Sequence, residues 1–210
     1  MSTKDKILDA AEKLFSDNGF NGTSLREITS LAEVNLAAVN YHFGSKKELI
    51  KAVMSRYMNE LSPRLISTLE SVQAKDKPTL TEVFSAFVEP LLALNQFRDN
   101  GTSIFLQLLG RGYTDSQGFL RWFLTTKYPQ VIEHFIAAVQ KAYPELEPEE
   151  MFWRLHFTMG TVVFTMSSSD ALMDIAKSDY EHSVRIEDVI DKLIPYVAAG
   201  VGAPIQDNRQ

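Results

Sequence analysis

Apolar residues recur every three to four positions along nearly the whole of this 210-residue chain, which is the period of an amphipathic α-helix. The first such stripe consists of Ile7, Leu8, Ala11, Leu14 and Phe15. No stretch alternates β-branched and polar residues for long enough to predict a strand. The pattern therefore predicts an all-α fold.

Short helices are predicted near the start of the chain, because stop and start signals follow one another closely. Asn18-Gly19 is a left-handed stop signal for the first helix. Ser24 stands three positions before Glu27, which is the spacing of a capping box at the start of a helix over residues 25–31. Thr23 is an alternative cap for the same helix.

A third helix follows the second after a tight turn. Asn35 can cap a helix over residues 36–42, and Ser45 can cap a fourth helix that begins at the next residue. Two helices joined by a tight turn over residues 25–42 have the geometry of a helix-turn-helix, in which the second helix enters a major groove of DNA. The sequence therefore predicts a DNA-reading element near the N-terminus.

Helical periods continue through the rest of the chain. We expect Pro63 either to kink the fourth helix or to begin a new segment, and Pro90 and Pro129 to kink later helices. Further helices are predicted over residues 80–97, 102–109, 117–143, 148–168, 170–177 and 186–199.

The net charge of −6 is unevenly distributed along the chain. Residues 1–60 carry eight basic and eight acidic side chains, so the acidic excess lies beyond them. From Val34 to Arg56, four basic residues oppose one acidic residue. This local basic patch is compatible with a nucleic-acid partner, although the whole chain is acidic.

Several classes of function are excluded by what the sequence lacks. There is no cysteine, and hence no disulfide, thiolate metal site or thiol nucleophile. No phosphate loop or Gly-x-Ser-x-Gly motif occurs, and the four histidines, His42, His134, His156 and His182, lack metal-ligand spacing. We expect no enzymatic activity, no metal and no cofactor. Since no apolar signal core and no apolar run of about 18 residues is present, we expect a cytoplasmic protein without a membrane span.

About the first fifty residues contain a series of short motifs: Leu14-Phe15, Gly19-Phe20, residues 23–28, Ala32-Glu33-Val34 and residues 39–49. Together these motifs resemble the DNA-binding domain of the TetR family. The run over residues 35–46 is most similar to the fatty-acid-responsive branch typified by PsrA, and so, more loosely, are residues 103–105, 108–110, 116–118 and 152–157 with Gly160.

This resemblance implies a transcriptional regulator that is built from two domains. We expect it to be a repressor. Residues 1–48 would form the helix-turn-helix domain, and residues 49–200 a helical bundle that binds an effector and dimerises. Residues 201–210 would form a flexible tail.

The predicted contacts with DNA divide into base reading and phosphate binding. Asn40 can make a bidentate contact to adenine, and small or apolar residues beside it can approach thymine methyl groups. The resemblance assigns Tyr41, His42 and Lys46 to phosphates. Tyr41 and His42 could instead be ordinary, partly buried side chains, and Thr23 a helix cap only. The full predicted set is Thr23, Ser24, Arg26, Asn35, Leu36, Ala37, Ala38, Asn40, Tyr41, His42 and Lys46.

A homodimer is expected, because one helix-turn-helix covers one half-site and a palindromic operator presents two, about 34 to 36 Å apart. The predicted seam, which is the dimer interface, combines two helices of each subunit. The same residues could instead form the core of a single chain. In the helix over residues 148–168 they are Phe152, His156, Met159, Val163 and Ser167 with Gly160, and in the last helix Val189, Ile190, Leu193, Ile194 and Val197.

The bundle carries more aromatic residues than its helix ends require. They can line a pocket for an elongated apolar ligand, or they can form an ordinary packed core. The resemblance implies a long-chain fatty acid or its coenzyme A thioester, whose acidic head requires a cation such as Arg111, Arg121 or Arg154. The predicted ligand-binding residues are Phe105, Leu108, Leu109, Arg111, Phe119, Trp122, Phe123, Arg154, Phe157 and Phe164.

Two other functions remain open from the sequence. One is a TetR-type repressor of drug efflux that binds planar or cationic compounds. The other is a helical interaction protein without DNA binding, against which Tyr41, His42 and Lys46 together argue.

Overall fold

The computed structural model describes residues 2–115, 118–181 and 183–204. In these residues all regular secondary structure is helical and no strand occurs, which confirms the predicted all-α fold. The helices are α1 (Thr3–Asn18), α2 (Leu25–Leu31), α3 (Leu36–Phe43), α4 (Lys46–Gln73), α5 (Leu80–Ser85), α6 (Val88–Phe97), α7 (Gly101–Asp115), α8 (Phe119–Lys127), α9 (Pro129–Ala142), α10 (Pro148–Ser167), α11 (Ser169–Tyr180) and α12 (Ile186–Val201).

The predicted helix starts near the N-terminus are confirmed. The Ser24 hydroxyl accepts a hydrogen bond from the backbone N–H of Glu27, whose carboxylate accepts one from the Ser24 N–H at 2.6 Å. The side-chain oxygen of Asn35 accepts the N–H of Ala38 at 2.9 Å and so caps α3. Ser45 caps α4 in the same manner.

Two helices that the periodicity predicts as continuous are each divided, and a proline explains both divisions. Pro90 has no N–H to donate to the carbonyl of Ala86, which accepts instead the Thr68 hydroxyl at 2.8 Å; the chain is therefore divided into α5 and α6. Pro129 occupies the first position of α9, and Tyr128 before it leaves the helical conformation (φ −132°, ψ 47°). Pro63, by contrast, lies inside α4, so no new segment begins there.

The chain forms two compact units, and α4 and α6 contribute residues to both. Unit 1 comprises the residues up to Pro63 and Leu92–Pro129. In it α1 packs against α2, α3 and α7, and α7 packs against α8. Its core is apolar and aromatic, and Phe20 closes the end of α1 by an edge-on contact with Phe15 at 5.3 Å. Fully buried members of this core include Ile7, Phe15, Ile28, Leu49, Tyr57, Phe105 and Phe123.

Unit 2 comprises Arg64–Leu91 and the described residues from Gln130 onward. In this unit α12 packs against α5 and α10. An aromatic cluster adds to its core, since the Phe135 ring meets those of Phe84 and Phe87 edge-on at 6.1 and 5.0 Å. The predicted functional boundaries after residues 48 and 200 remain predictions, because packing density does not measure function.

Among the described helices, none combines the length and the apolar composition needed to cross a bilayer.

Candidate nucleic-acid interface

One face of α3 is exposed although it carries large apolar side chains. Leu36 is 43% exposed and Tyr41 is 85% exposed, and Ala37 and Asn40 are exposed beside them. These four residues lie at i, i+1, i+4 and i+5, so they share one side of the helix. Val39, on the other side, is fully buried. The face is thus free of the core of unit 1.

The angle at which α3 leaves α2 is fixed by the turn between them. The backbone N–H of Val34 donates to the carbonyl of Thr29 at 3.0 Å, and Glu33 adopts a left-handed conformation with φ of 53°. The predicted turn therefore exists, but a non-glycine residue occupies its strained position.

Ser24 and Arg26 of the predicted set lie exposed at the start of α2. Hydrogen bonds from the Ser24 hydroxyl and N–H lower the pKa of the Glu27 carboxyl. The capping carboxylate is therefore ionised where the helix N-terminus favours negative charge. Arg26, in the first turn of α2, supplies a positive charge beside this carboxylate.

Thr23 is placed differently from the prediction. Its side chain is only 1% exposed, and its hydroxyl donates to the carbonyls of Gly19 at 2.8 Å and Leu14 at 3.0 Å. The structure does not support a phosphate contact by this hydroxyl, nor the alternative role as a cap, because Ser24 caps α2. Thr23 instead joins the end of α1 to the start of α2.

His42 and Lys46 lie near the exposed face, where α3 passes into α4. His42 is partly exposed, and its ring meets that of Tyr41 edge-on at 5.1 Å. Lys46 is partly exposed at the first position of α4, and Ala38 is partly exposed near the start of α3. Asn35 is exposed, but its side-chain oxygen already caps α3, which leaves only its amide NH₂ for DNA.

A contact that sequence reasoning missed lies beside this surface. The ammonium of Lys51 stands 4.5 Å from the centre of the Trp122 ring, and that of Lys47 stands 5.9 Å from it. The spacing of the lysines, one helical turn apart, indicates that they share a face of α4, but nothing local identifies a ring on α8 as their neighbour.

The predicted ligand-binding residues are divided between the two units. In unit 1, Phe105, Leu108, Leu109 and Phe123 are buried, and Phe105 stacks on Tyr57 at 5.7 Å. Arg111 is exposed and donates to the Asp17 carbonyl at 3.2 Å, Arg121 is exposed on α8, and the side chain of Phe119 lies outside the described residues. Phe157 and Phe164 belong to unit 2, where they are 66% and 62% exposed on α10.

Arg154 is a structural residue rather than a ligand cation. It is buried, and its guanidinium donates to the carbonyls of Val201 and Ala203 and to the carboxylate of Glu150. The predicted interaction with an acidic head group is wrong for this residue, because its donors already hold the end of α12.

The predicted seam is divided between surface and core. On α10, Phe152, His156 and Gly160 are exposed, and Met159 and Val163 are partly exposed. On α12, Val189 and Ile194 are partly exposed, whereas the other three predicted residues are buried within one chain because α12 packs against α5 and α10. For Ile190, Leu193 and Val197, the alternative of an intrachain core is therefore correct.

Residues 116 and 117 of the branch resemblance, His182 and tail residues 205–210 lie outside the described residues, as does the side chain of Ser167.

Curated proteins match the N-terminal part of the chain. An inferred HTH-type transcriptional regulator, YttP of Bacillus subtilis, is 37% identical over 75 residues, which are 36% of each chain. The HTH-type transcriptional repressor NicS of Pseudomonas putida is 44% identical over 52 residues, 25% of this chain and 24% of its own. The chain thus aligns with only about a quarter to a third of the length of these relatives.

Solved structures share the fold over nearly the whole chain at low sequence identity. An HlyIIR mutant protein has a TM-score of 0.60 at 20% identity. The alignment covers 92% of this chain and 93% of that protein. SmeT, the repressor of a Stenotrophomonas maltophilia multidrug efflux pump, has a TM-score of 0.56 at 19% identity, covering 99% of this chain and 93% of its own. A candidate fatty acid metabolism regulator from Clostridium perfringens has a TM-score of 0.51 at 17% identity. The alignment covers 96% of this chain and 100% of that protein.

Two family descriptions together cover most of the chain. Residues 7–53 match the bacterial regulatory proteins of the tetR family, and residues 85–200 match the tetracyclin repressor-like C-terminal domain. The first match contains α2, α3 and the start of α4, and the second alone spans more than half of the chain. The chain therefore belongs to the TetR family of transcriptional regulators and is not an enzyme.

Proposed function

We propose that this protein is a transcriptional repressor that binds a palindromic operator as a homodimer. The exposed face of α3 carries this proposal. Leu36 and Tyr41 are exposed there, although an apolar side chain of the size of leucine gains about 1.5 to 3 kcal/mol from full burial. Asn40 between them offers the donor and acceptor that recognise adenine.

Selection from a randomised duplex library tests DNA recognition by the full-length protein. We expect enrichment of two inverted half-sites whose centres are one helical turn, about 34 to 36 Å, apart. Enrichment of no sequence, with binding that vanishes at 200 mM salt, would leave only non-specific attraction and would refute operator recognition.

The homodimer is supported by an aromatic stripe on α10. Phe152, Trp153, Phe157 and Phe164 are between 41% and 66% exposed. A Cβ atom at Gly160, beside them, would meet no atom within 4 Å, so a second helix can approach there. A second copy is the occupant that a two-half-site operator requires.

The dimer is tested by native mass spectrometry of the wild type and of Phe157→Asp. We expect a dimer for the wild type and a folded monomer for the variant, because a carboxylate in the centre of an apolar interface is desolvated without a partner. Tyr180→Asp is the control, since Tyr180 is an exposed aromatic residue of α11 rather than of the stripe. A wild-type monomer at micromolar concentration would refute the proposed state.

For the effector we propose a long-chain fatty acid or its coenzyme A thioester. The resemblance over residues 35–46 and the buried apolar residues Phe105, Leu108, Leu109 and Phe123 of unit 1 support this choice. Because the side chains of these four residues are already buried, a ligand can lie among them only if the packing of unit 1 opens. Arg111 and Arg121, both exposed in unit 1, remain the proposed cations for the acidic head, since Arg154 is committed to α12.

The efflux-repressor alternative keeps the same DNA interface and differs only in its ligand. SmeT and the Clostridium protein both share the fold at less than 20% sequence identity, so the fold favours neither ligand. Native mass spectra with oleoyl coenzyme A, oleate and rhodamine 6G separate the two. One acyl ligand per subunit supports the proposal, whereas binding of rhodamine 6G alone supports the efflux regulator.

The effector is proposed to act by shifting the population of dimers away from the DNA-binding form. A 100-fold loss of DNA affinity requires about 2.7 kcal/mol of differential binding to the two forms. Fluorescence anisotropy of the selected duplex, with and without saturating oleoyl coenzyme A, measures this loss. An unchanged affinity would remove the fatty-acid assignment and leave the DNA-binding proposal in place.

A further inference from the structure

The indole ring of Trp122 lies against the first two turns of α4. Both contacts, with Lys51 at 4.5 Å and with Lys47 at 5.9 Å, fall within the range in which an ammonium is attracted to an aromatic face. Trp122 is nonetheless 44% exposed, so the ring is not a core residue of unit 1.

The position of this ring is fixed by its neighbours on α8. Leu120 and Phe123 are buried and anchor the helix in unit 1. At the other end of α8, the hydroxyl of Tyr128 donates to the side-chain oxygen of Asn59 on α4 at 2.9 Å. Two attachments therefore hold α8 along α4, and the Trp122 ring has a fixed place beside the lysines.

The lysines stand next to the surface proposed to bind DNA. Lys47 directly follows Lys46, the proposed phosphate ligand, and Lys51 lies one turn further along α4. A lysine side chain has four rotatable bonds, and ordering it on binding reduces affinity. A lysine that is already held in place loses less of this freedom when it meets a phosphate.

We propose that Trp122 is a positioning residue for DNA binding: its ring holds Lys47 and Lys51 of α4 in place to meet the phosphate backbone. The inference rests on the proposed DNA-binding function. It assigns to Trp122 a role different from the ligand contact expected from sequence.

An ion pair within α4 competes for one of the two cations. Lys51 also bonds to the carboxylate of Glu48 at 2.6 Å. The Lys51 side chain is only 17% exposed and that of Glu48 is 53% exposed, so the carboxylate holds Lys51 in addition to the ring. Lys47 is exposed, so the ordering effect of the ring is expected chiefly through Lys47.

A double-mutant cycle on the full-length dimer tests the proposal. The probe is the duplex enriched by the wild type in the library selection, and binding is measured by anisotropy from 50 to 200 mM salt. We expect Trp122→Leu to weaken binding about three- to tenfold, and the slope of log affinity against log salt to fall by up to about 0.9 for each phosphate that the lysines no longer neutralise. Trp122→Phe, which keeps an aromatic face, should restore most of the affinity.

The decisive comparison is made in a background without the lysines. In Lys47→Gln/Lys51→Gln protein, Trp122→Leu should have no further effect, because the groups that the ring holds are absent. Lys127→Gln, which removes an exposed lysine of α8, is the control background, and the full effect of Trp122→Leu should persist there. Trp122→Met repeats the cycle with a longer apolar side chain, so the result does not depend on the folding of one variant.

Two results overturn the inference while operator binding stands: an equal loss in both backgrounds, or an unchanged affinity and salt slope in Trp122→Leu. Failure of the wild type to select any duplex overturns the proposed function and this inference together.

Discussion

Glu12 of α1 and Arg98, which follows α6, form an ion pair between residues 86 positions apart in the sequence. Glu12 is only 2% exposed, and Arg56 of α4 approaches the same carboxylate at 3.4 Å. Asp9 joins the cluster, at 2.8 Å from Arg56 and 3.0 Å from Arg98. Burial and the neighbouring Glu12 carboxylate raise the pKa of the Tyr57 hydroxyl. Charged groups thus hold α1 to α4 and to the segment before α7.

Replacement of Glu12 by alanine is expected to destabilise unit 1 by about 3 kcal/mol, because two partly buried guanidinium groups lose a buried anion. The midpoint of urea unfolding measures this change. Lys13→Ala removes the exposed pair with Asp17 on the same helix and should change stability by no more than about 0.5 kcal/mol. Equal changes in stability for the two substitutions would show that the Glu12 cluster contributes no more than an exposed ion pair.

Asn40→Ala is expected to change sequence preference rather than general affinity. An adenine contact by its amide accounts for about 1 to 3 kcal/mol of discrimination at one base pair. Repeating the library selection with the variant should therefore relax one position in each half-site. An unchanged preference profile would exclude Asn40 from base reading.

Lys46→Ala is expected to weaken binding to all duplexes alike, because phosphates carry no sequence information. The slope of log affinity against log salt should fall by about 0.9, and the selected sequence should stay the same. Lys77→Ala, in the exposed connection before α5, is the matched control and should leave the slope unchanged. A new sequence preference in Lys46→Ala would contradict the assignment to phosphate.

Glu33→Gly is expected to stabilise the protein by about 1 kcal/mol, since glycine adopts the φ of 53° at this turn without the strain that a Cβ atom brings. Thermal unfolding measures the gain. Glu33→Ala is the control, because it removes the same charge and keeps the Cβ atom. If both variants gain equally, charge and not backbone strain is the cause.

Glu82 predicts a pH dependence in unit 2. Hydrogen bonds from the Lys75 ammonium, and from the N–H and hydroxyl of Thr79, lower the pKa of the Glu82 carboxyl to about 2 from its ordinary 4.5. A lowered pKa means that the ionised group stabilises the fold above pH 4.5 and that this stabilisation is lost as the pH falls toward about 2.

The measurement is the difference in Tm between the wild type and Glu82→Gln from pH 7 to pH 2.5. The difference should be constant above about pH 5 and shrink below it. Glu145→Gln, in the exposed connection before α10, reports the general effect of removing one carboxylate. A difference that does not vary with pH would refute the capping role of the charge.

The parts of the fold that were predictable from sequence depend on neighbouring residues. Ser24 and Glu27, like Asn35 and Ala38, are three positions apart, so their hydrogen bonds follow from local spacing. The division of the helix at Pro90 also has a local cause, but its position was missed because the apolar period continues through the proline.

The parts that were not predictable depend on partners far along the chain. Thr23 looks like a cap or a phosphate ligand until the carbonyl of Leu14 is seen beside it. Arg154 looks like a cation for a ligand until α12, 47 positions later, presents its last carbonyls. The roles of Thr23 and Arg154 therefore become clear only when the tertiary fold shows their partners.

The charged cluster around Glu12 also limits where this chain can be joined to another protein in a chimera. A recombinant that joined residues 1–48 to the remainder of an unrelated regulator would inherit Asp9 and Glu12 without Arg56 and Arg98. Its N-terminal domain would then contain two carboxylates whose arginine partners are missing. A viable exchange must therefore carry α4 and the segment around Arg98 together with the first three helices, so the smallest transferable part is larger than the surface proposed to bind DNA.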